Sequence, residues 1–310
     1  MNNLLQVYEV GPRDGLQNEP AHVSTEEKLR LIDLLVAAGL PRIEATSFVH
    51  PKAVPQMADA DEVMSHILNK YEARPVTFVG LVLNEHGYDR AYEAGCRHMA
   101  LGVAVSETFS QRNTNMSTKE ALEICRRLSR RAEKDGVWTR TYLMTAWVCP
   151  FEGPMLPRKS LGYARQVWDM GIDELAVADT IGHADPVSVG RLLEQIGRYT
   201  GMDNLAAHLH DTQALGLANC SAALSAGVRT FDSSVGGLGG CPFAPGAAGN
   251  LATEDLVFLA YKMGLGTGVD FSRLWEAVAV ADELTGRRTG GRIRDWWESH
   301  AEKEPTLSMM

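Results

Sequence analysis

Two histidines at the end of one predicted strand are the residues of this chain best placed for metal chemistry. His208 and His210 close the apolar run LAAHLH, and residues two apart on a strand point to the same side, where they can share one metal ion. The alternative is a pair of histidines held by loop hydrogen bonds. Asp14 and Asn250 would add two oxygen ligands, and this set suits Mg2+, Mn2+ or Zn2+, or the Fe(II) of an oxygenase. The spacing therefore predicts a divalent metal site without selecting the metal.

A glycine-rich stretch, GGLGGCPFAPGAAGN at residues 236–250, contains one reactive side chain, Cys241. Glycines let the backbone approach a ligand closely and allow positive φ angles in a mobile loop. A thiol with an ordinary pKa of about 8.5 is mostly protonated at neutral pH, so Cys241 could donate a proton to a carbanion or act as a nucleophile. A phosphate-binding loop with a merely buried cysteine is the alternative.

Short apolar runs rich in β-forming residues alternate with segments of helical periodicity, which is typical of βα units around a parallel sheet. Eight such units match a (β/α)8 TIM barrel, whose usual length is about 250 residues. We expect a barrel domain over 1–270 with a C-terminal helical extension over 271–310 packed on it, and a doubly wound open sheet is the alternative. The predicted strands are residues 4–10, 42–47, 76–82, 98–105, 138–146, 174–179, 205–210 and 229–235.

Two of the predicted helices carry clear start and stop signals. One runs from Ser24 to Gly39 and the other from Ser117 to Gly136. The first opens with a capping box formed by Ser24 or Thr25 with Glu27 or Lys28 nearby, the second repeats this pattern, and each stops at a glycine. These helices support the alternating βα pattern.

Active sites of TIM barrels lie at the C-terminal ends of the strands and in the loops that follow. Polar residues of this chain fall at such places. In the first of these loops, VGPRDGLQNEP sets Arg13 beside Asp14 between two glycines. By itself such a pair is most simply a surface turn with a local salt bridge. The other polar residues at strand ends are Gln17, Glu44, Thr46, Ser47, Asp179, His208, His210 and Asp211.

Composition excludes several classes of function. The formal net charge is -9 and the pI is about 5.5, which argues against nucleic acid and anionic membranes as partners because these select clustered Lys and Arg. The five cysteines show no CxxC spacing, so neither a disulfide framework nor a thiolate zinc site is indicated. No apolar run is long enough to span a membrane, and the first residues lack a signal peptide. We expect a cytoplasmic protein that acts on a small molecule.

Five separated motifs occur in the order found in a known enzyme family. They are VGPRDGLQNEP, IEATSFVHPKAVPQMADADEV, ADTIG, HLHDTQALGLAN and GGLGGCPFAPGAAGNLATEDLV. Together they resemble the 3-hydroxy-3-methylglutaryl-CoA (HMG-CoA) lyases, members of the DRE-TIM metallolyase superfamily. The resemblance extends to about residue 290, and it implies retro-Claisen cleavage of HMG-CoA to acetyl-CoA and acetoacetate in leucine catabolism. It also implies an acyl-CoA as the substrate and a homodimer as the assembly.

The same resemblance implies roles for the candidate residues. A divalent ion, Mg2+ or Mn2+ with Zn2+ as an option, would be held by Asp14, His208, His210 and Asn250 and would acidify the substrate hydroxyl. Arg13 would stabilise the enolate oxygen that forms as the bond breaks, and Cys241 would protonate that enolate. Further residues implied near substrate or metal are Gln17, Glu44, Tyr142, Asp179 and Glu254.

This chain departs from the family pattern near the expected substrate. Ala176 and Ala178 stand where Ser and Gly are expected, and Met144 stands where Ser is usual. These differences leave open another 3-hydroxyacyl-CoA, such as an isoprenoid-derived glutaryl-CoA or citramalyl-CoA. The residues also leave open a Claisen-type synthase, an Fe(II) oxygenase and a non-catalytic CoA-binding protein, although the related synthases carry RDGEQ in place of RDGLQ and lack the cysteine loop.

Overall fold

The structure is a computed structural model, and it describes residues 4–240 and 249–300. Eight parallel strands form a closed barrel in the order β1, β10, β9, β8, β5, β4, β3, β2. A two-stranded antiparallel hairpin, β6 and β7, lies outside the barrel. The strands are β1 Gln6–Glu9, β2 Arg42–Ser47, β3 Thr77–Leu81, β4 His98–Ala104, β5 Trp138–Met144, β6 Val148–Cys149, β7 Gly153–Pro154, β8 Glu174–Asp179, β9 Leu205–Leu209 and β10 Thr230–Ser233.

Helices surround the barrel and bury their apolar sides against it. They are α1 Thr25–Ala37, α2 Ala60–Lys70, α3 Glu85–Glu93, α4 Glu107–Thr114, α5 Thr118–Asp135, α6 Pro157–Trp168, α7 Pro186–Thr200, α8 Gly216–Ala226, α9 Thr253–Lys262, α10 Phe271–Thr285 and α11 Arg294–His300. Among the residues described, no helix is both long enough and apolar enough to cross a membrane.

The closed barrel confirms the predicted fold class and excludes the open sheet. Each predicted strand coincides with one barrel strand, and two of them, β2 and β8, have the predicted bounds. The predicted capping boxes are present at both helix starts, where Ser24 pairs with Glu27 and Ser117 with Glu120. The hairpin β6–β7 was not predicted, because two-residue strands carry no periodic signal.

The C-terminal helices lie on the outside of the barrel. Helix α10 begins at Phe271, and the Asp270 amide just before it donates to the Ala38 carbonyl after α1 at 2.8 Å. Trp297 of α11 is buried, with its ring edge against Phe271 at a centroid distance of 4.8 Å. Trp296 instead packs on Phe258 of α9 at 5.3 Å. The tryptophan pair therefore attaches α11 to α9 and α10.

A buried carboxylate, Glu9, holds the seam where the first and last strands of the barrel meet. It accepts hydrogen bonds from the amides of Gly11 and Val235, at 2.7 and 2.9 Å, and from the Thr253 hydroxyl at 2.6 Å. These donors come from the loop after β1, the loop after β10 and the start of α9. Burial raises the pKa of Glu9 to about 7, although its three hydrogen bonds oppose the shift.

The raised pKa of Glu9 predicts a pH-dependent stability. The pKa of Glu9 is about 7 in the folded state and about 4.5 in the unfolded chain. The contribution of Glu9 to the free energy of unfolding is therefore fully present below pH 4.5 and is lost as the pH rises to 7. The loss should be about 3 kcal/mol. Glu9→Gln keeps two acceptor contacts and can donate to Thr253. Urea unfolding from pH 5 to 8 should show the wild type losing stability relative to Glu9→Gln, and parallel curves would contradict this.

Candidate functional site

A single π-helical turn, Gly11–Gly15, follows β1 and carries the Arg-Asp pair. The Gly15 amide closes the turn by donating to the Val10 carbonyl at 3.1 Å. Both flanking glycines are required by close packing. A Cβ atom on Gly11 would lie 2.6 Å from Glu9 Oε1, and one on Gly15 would lie 2.8 Å from the Cβ of Leu238. The turn can place Arg13 and Asp14 at the cavity because Gly11 and Gly15 allow its backbone to pack closely against Glu9 and Leu238.

Arg13 is held between two carboxylates. Its Nε donates to Glu44 Oε1, and its Nη1 donates to Asp14 Oδ1 at 2.6 Å. Burial alone would lower the pKa of Arg13, but Glu44 and Asp14 outweigh burial and raise it. Arg13 is only 6% exposed and lines the cavity at the C-terminal end of the barrel. A permanent positive charge in fixed orientation thus faces the cavity.

Asp14, His208 and His210 converge at one point, and their ligand atoms all lie within 4.8 Å of one another. The two imidazole Nε2 atoms are 3.1 Å apart, which confirms that both rings of the predicted pair point to the same side. Burial alone would raise the pKa of Asp14, but Arg13 and the two histidines outweigh it and lower the pKa. Burial, with His208 nearby, lowers the pKa of His210 to about 3. One carboxylate and one neutral imidazole are thus available at neutral pH beside the second ring.

This donor set fits a divalent cation. Zn2+ and similar ions bind imidazole nitrogen at about 2.1 Å, so two Nε2 atoms 3.1 Å apart can share one ion. His210 Nδ1 is buried and has no hydrogen-bond partner within 4–240 and 249–300. A divalent cation bound between the two nitrogens and the carboxylate would satisfy all three groups at once.

Asn250, the fourth predicted ligand, lies beside this cluster. His210 and Asn250 form an isolated antiparallel bridge, which brings the loop before α9 to the end of β9. The Asn250 Nδ2 group donates to Asp14 Oδ2 at 2.8 Å and to the Leu238 carbonyl at 3.2 Å. In this arrangement the amide nitrogen, rather than the oxygen, faces Asp14, and a half-turn of the amide would present the oxygen.

Glu44 and Tyr142 were predicted to contact substrate. In the structure Tyr142 lines the cavity, whereas Glu44 lies behind Arg13. Glu44 is fully buried behind Arg13, and its Oε2 accepts the hydroxyls of Tyr8 and Tyr142 at 2.9 and 2.8 Å. Tyr142 lines the cavity and sets its ring edge against His208 at a centroid distance of 5.5 Å. Burial, followed by Asp232 and Glu44, raises the pKa of Tyr142 far above its ordinary value. Glu44 therefore orients Arg13, while Tyr142 forms part of the cavity wall.

Gln17 lines the cavity, and its buried Oε1 has no hydrogen-bond partner in the described part of the chain. Asp179 lies at the end of β8, where its carboxylate accepts the amides of His183 and Ala184 at 3.0 and 3.1 Å. Burial raises the pKa of Asp179 despite these bonds. Its carboxylate stabilises its own loop.

Glu254 does not line the cavity. Its carboxylate accepts the amides of Gly236 and Gly291, at 3.1 and 2.6 Å, and so joins the start of the glycine-rich stretch to the C-terminal extension. Burial, with Asp255 adjacent, raises the pKa of Glu254 to about 8. Cys241 lies outside the described residues.

The cavity has a volume of about 580 Å3 and a partly apolar wall. Two of the three positions that depart from the family pattern, Met144 and Ala178, line it. Ala176 does not, because it is buried inside the barrel beside Tyr8 and Tyr142. The other apolar residues of the wall are Val49, Ala53, Val54, Leu81, Leu83, Phe109 and Met116.

Two charged residues next to the site, Asp232 and Arg140, were not predicted. Asp232 Oδ2 lies 3.0 Å from His208 Nδ1, and its Oδ1 accepts from Arg140 Nη2 at 2.8 Å. Burial alone would raise the pKa of Asp232, but Arg140 and His208 outweigh it and lower the pKa. The signal in the sequence was a charged residue in the interior of each of two predicted strands, RTFDSSV and WTRTYLMTA.

Known proteins share this architecture. A model of the HMGL-like family matches residues 4–280. The chain is 44% identical over 275 residues to the hydroxymethylglutaryl-CoA lyase of Pseudomonas mevalonii, with 89% of each chain covered. The crystal structure of the HMG-CoA lyase of Bacillus subtilis superposes with a TM-score of 0.91 at 38% identity, covering 96% of this chain and 100% of that one.

A further solved structure is an HMG-CoA lyase from Acinetobacter baumannii in complex with coenzyme A and 3-methylmalate. It has a TM-score of 0.89 and 36% identity, and covers 94% of this chain and 95% of that one. The family match spans the barrel, the Arg-Asp turn and the histidine pair, which are the features that form the site. By sequence and by fold, this chain belongs to the HMGL-like family of metal-dependent lyases.

Proposed function

We propose that this chain cleaves HMG-CoA to acetyl-CoA and acetoacetate by retro-Claisen chemistry. The observation that carries the proposal is the placement of Arg13 against the cluster of Asp14, His208 and His210 on one cavity wall. Cleavage of a 3-hydroxyacyl thioester needs activation of the hydroxyl at one end of the breaking bond and stabilisation of negative charge at the other. The relatives named as HMG-CoA lyases support the choice of substrate.

The residues proposed to hold the metal are Asp14, His208, His210 and Asn250. A divalent cation bound there would act as a Lewis acid on the substrate's tertiary hydroxyl and lower its pKa. We propose Mg2+ or Mn2+ as this ion, with Zn2+ as the alternative, since carboxylate and amide oxygens suit the harder ions.

Arg13 is proposed to stabilise the thioester oxygen as it becomes an enolate. Because Glu44 and Asp14 fix the guanidinium before substrate arrives, little reorganisation is needed when charge develops, and preorganised donors of this kind lower the barrier most. Tyr142 supports this arrangement by donating its hydroxyl to Glu44. Gln17 is proposed to hydrogen-bond the substrate through its amide group, because its buried Oε1 has no partner within residues 4–240 and 249–300.

Cys241 is proposed to protonate the enolate carbon of acetyl-CoA. The substrate hydroxyl gives its proton to water and becomes the ketone of acetoacetate, and the bond between the two product fragments breaks with its electron pair kept by acetyl-CoA. The thiol then supplies the proton that this carbon gains, and solvent reprotonates the thiolate. A mostly protonated thiol suits this role.

The partner of this site is proposed to be an acyl-CoA, in line with the relative whose structure contains coenzyme A. We further propose a homodimer in the cytoplasm that acts in leucine degradation. Asp179 and Glu254 are assigned to supporting the loops that surround the substrate, because their carboxylates bind loop amides.

The proposed reaction predicts metal-dependent release of both products. Purified protein given HMG-CoA and Mg2+ or Mn2+ should release acetyl-CoA and acetoacetate in equal amounts in a coupled assay, and EDTA should abolish release until metal is restored. Folded, metal-loaded protein that releases neither product would contradict the assignment of substrate.

Loss of the guanidinium should remove stabilisation of the enolate. Arg13→Gln should lower kcat by about 10^3-fold or more with little change in metal content, since the contact acts mainly in the transition state. Arg30→Gln is the matched control, because Arg30 forms an exposed ion pair with Glu283, and its turnover should equal that of the wild type. Near-normal kcat in Arg13→Gln would rule out this role.

Removal of the thiol should impair protonation. Cys241→Ala should lower kcat by about 10^2- to 10^4-fold, the range typical of a lost general acid, and should bind Mn2+ as the wild type does. Cys220→Ala removes a buried thiol in α8 and should keep its activity. Loss of Mn2+ binding in Cys241→Ala would show that the thiol acts structurally instead.

A further inference from the structure

Asp232 of β10 lies beside His208, the first histidine of the pair. Its carboxylate is 2% exposed and is shared between two partners. Oδ2 lies 3.0 Å from His208 Nδ1, and Oδ1 accepts from Arg140 Nη2 at 2.8 Å. The contact joins neighbouring strands, because Asp232 is paired with His208 in the register of β10 against β9.

We propose that Asp232 is a positioning residue that fixes the tautomer of His208 and thereby presents His208 Nε2 as a lone pair to a metal ion. This inference rests on the metal site proposed above. Neutral imidazole carries a proton on one nitrogen only, and only the unprotonated nitrogen can bind a cation. A carboxylate acceptor at Nδ1 keeps the proton there, and such partners orient metal-binding histidines generally.

Arg140 holds the Asp232 carboxylate in the orientation in which it accepts from His208. A guanidinium has donors and no acceptor, so Arg140 can only hold Asp232 Oδ1 as an acceptor. Arg140 is itself fully buried, with Nε 3.0 Å from Glu174 Oε1 and the guanidinium 3.7 Å from the centroid of the Tyr8 ring. Held by these two contacts, Arg140 prevents Asp232 from rotating away from His208.

The two histidines consequently have different states when no metal is bound. With its proton on Nδ1, His208 offers Nε2 as an acceptor, so the 3.1 Å contact between the two Nε2 atoms requires that His210 donates from Nε2. His210 Nδ1 is then an unprotonated nitrogen, in agreement with its lack of a hydrogen-bond partner among the described residues. Metal binding would therefore change the tautomer of His210 and leave that of His208 unchanged.

The wild-type protein alone tests the tautomers. Metal-free protein labelled with 15N-histidine should show, in long-range 1H–15N spectra at neutral pH, His208 protonated at Nδ1 and His210 protonated at Nε2. His208→Gln and His210→Gln samples would assign the signals. A His208 protonated at Nε2 in the metal-free wild type would overturn the inference, whatever the enzyme's activity.

Asp232→Asn tests the cause. Arg140 would hold the amide oxygen in place of Oδ1, which turns the new NH2 group toward His208 Nδ1. His208 Nδ1 must then accept, so its proton moves to Nε2 and blocks the metal position. The variant should show this reversed tautomer and bind Mn2+, measured by EPR titration, about 10- to 100-fold more weakly.

Glu174→Gln is the matched control, because it also removes one carboxylate from Arg140 but does not touch His208. It should keep the wild-type tautomer and bind Mn2+ as the wild type does. Equal weakening in Glu174→Gln and Asp232→Asn would overturn the inference and assign the effect to lost charge. If the wild type itself binds no Mn2+, the metal site fails, whereas the tautomers still decide the role of Asp232. Should Asp232→Asn not fold, the wild-type spectra remain decisive.

Discussion

A guanidinium buried inside the barrel is the constraint on which the site depends. Arg140 cannot lose its charge, so the barrel interior must supply carboxylates, and Glu174 and Asp232 do so. A buried charge left without its partner costs several kcal/mol. Asp232 also faces His208, so the same carboxylate both neutralises Arg140 and contacts an imidazole of the proposed metal site. A substitution of Asp232 would therefore alter both the stability of the barrel interior and the geometry of the site.

A second buried arginine, Arg13 at the cavity, is likewise neutralised by two carboxylates, Glu44 and Asp14. Tyr8 connects the two arginines, because its ring lies on the Arg140 guanidinium and its hydroxyl donates to Glu44. Ion pairs, a ring contact and a hydroxyl hydrogen bond thus link the polar side chains from the barrel interior to the cavity. An arginine that is already paired and oriented can act on developing charge without first being ordered, which is the property that a catalytic guanidinium requires.

Local patterns predicted the elements well because the physical rules that produce them are local. The short β-rich runs RIEATS and ELAVAD predicted β2 and β8 to the residue, and capping residues near Ser24 and Ser117 predicted the helix starts. The side-by-side placement of His208 and His210 followed from the two-residue period of a strand. The contacts of Glu44 and Glu254 could not be predicted in this way. A carboxylate near a strand end or helix start has the same sequence signature whether it faces a cavity, an arginine or loop amides.

The sequence by itself determined the order of βα units, the convergence of strand ends into one site and the residue types there that could hold a metal ion, because these follow from periodicity and from chemistry carried within short motifs. Only the tertiary structure decided which groups are partners. His208 and Asp232 are 24 residues apart and meet through the register of the neighbouring strands β9 and β10. Asp232 and Arg140 are 92 residues apart on β10 and β5, which are not adjacent, so they meet only because the barrel closes. The free energy of a buried charge depends on what surrounds it, and those surroundings form only when the barrel closes.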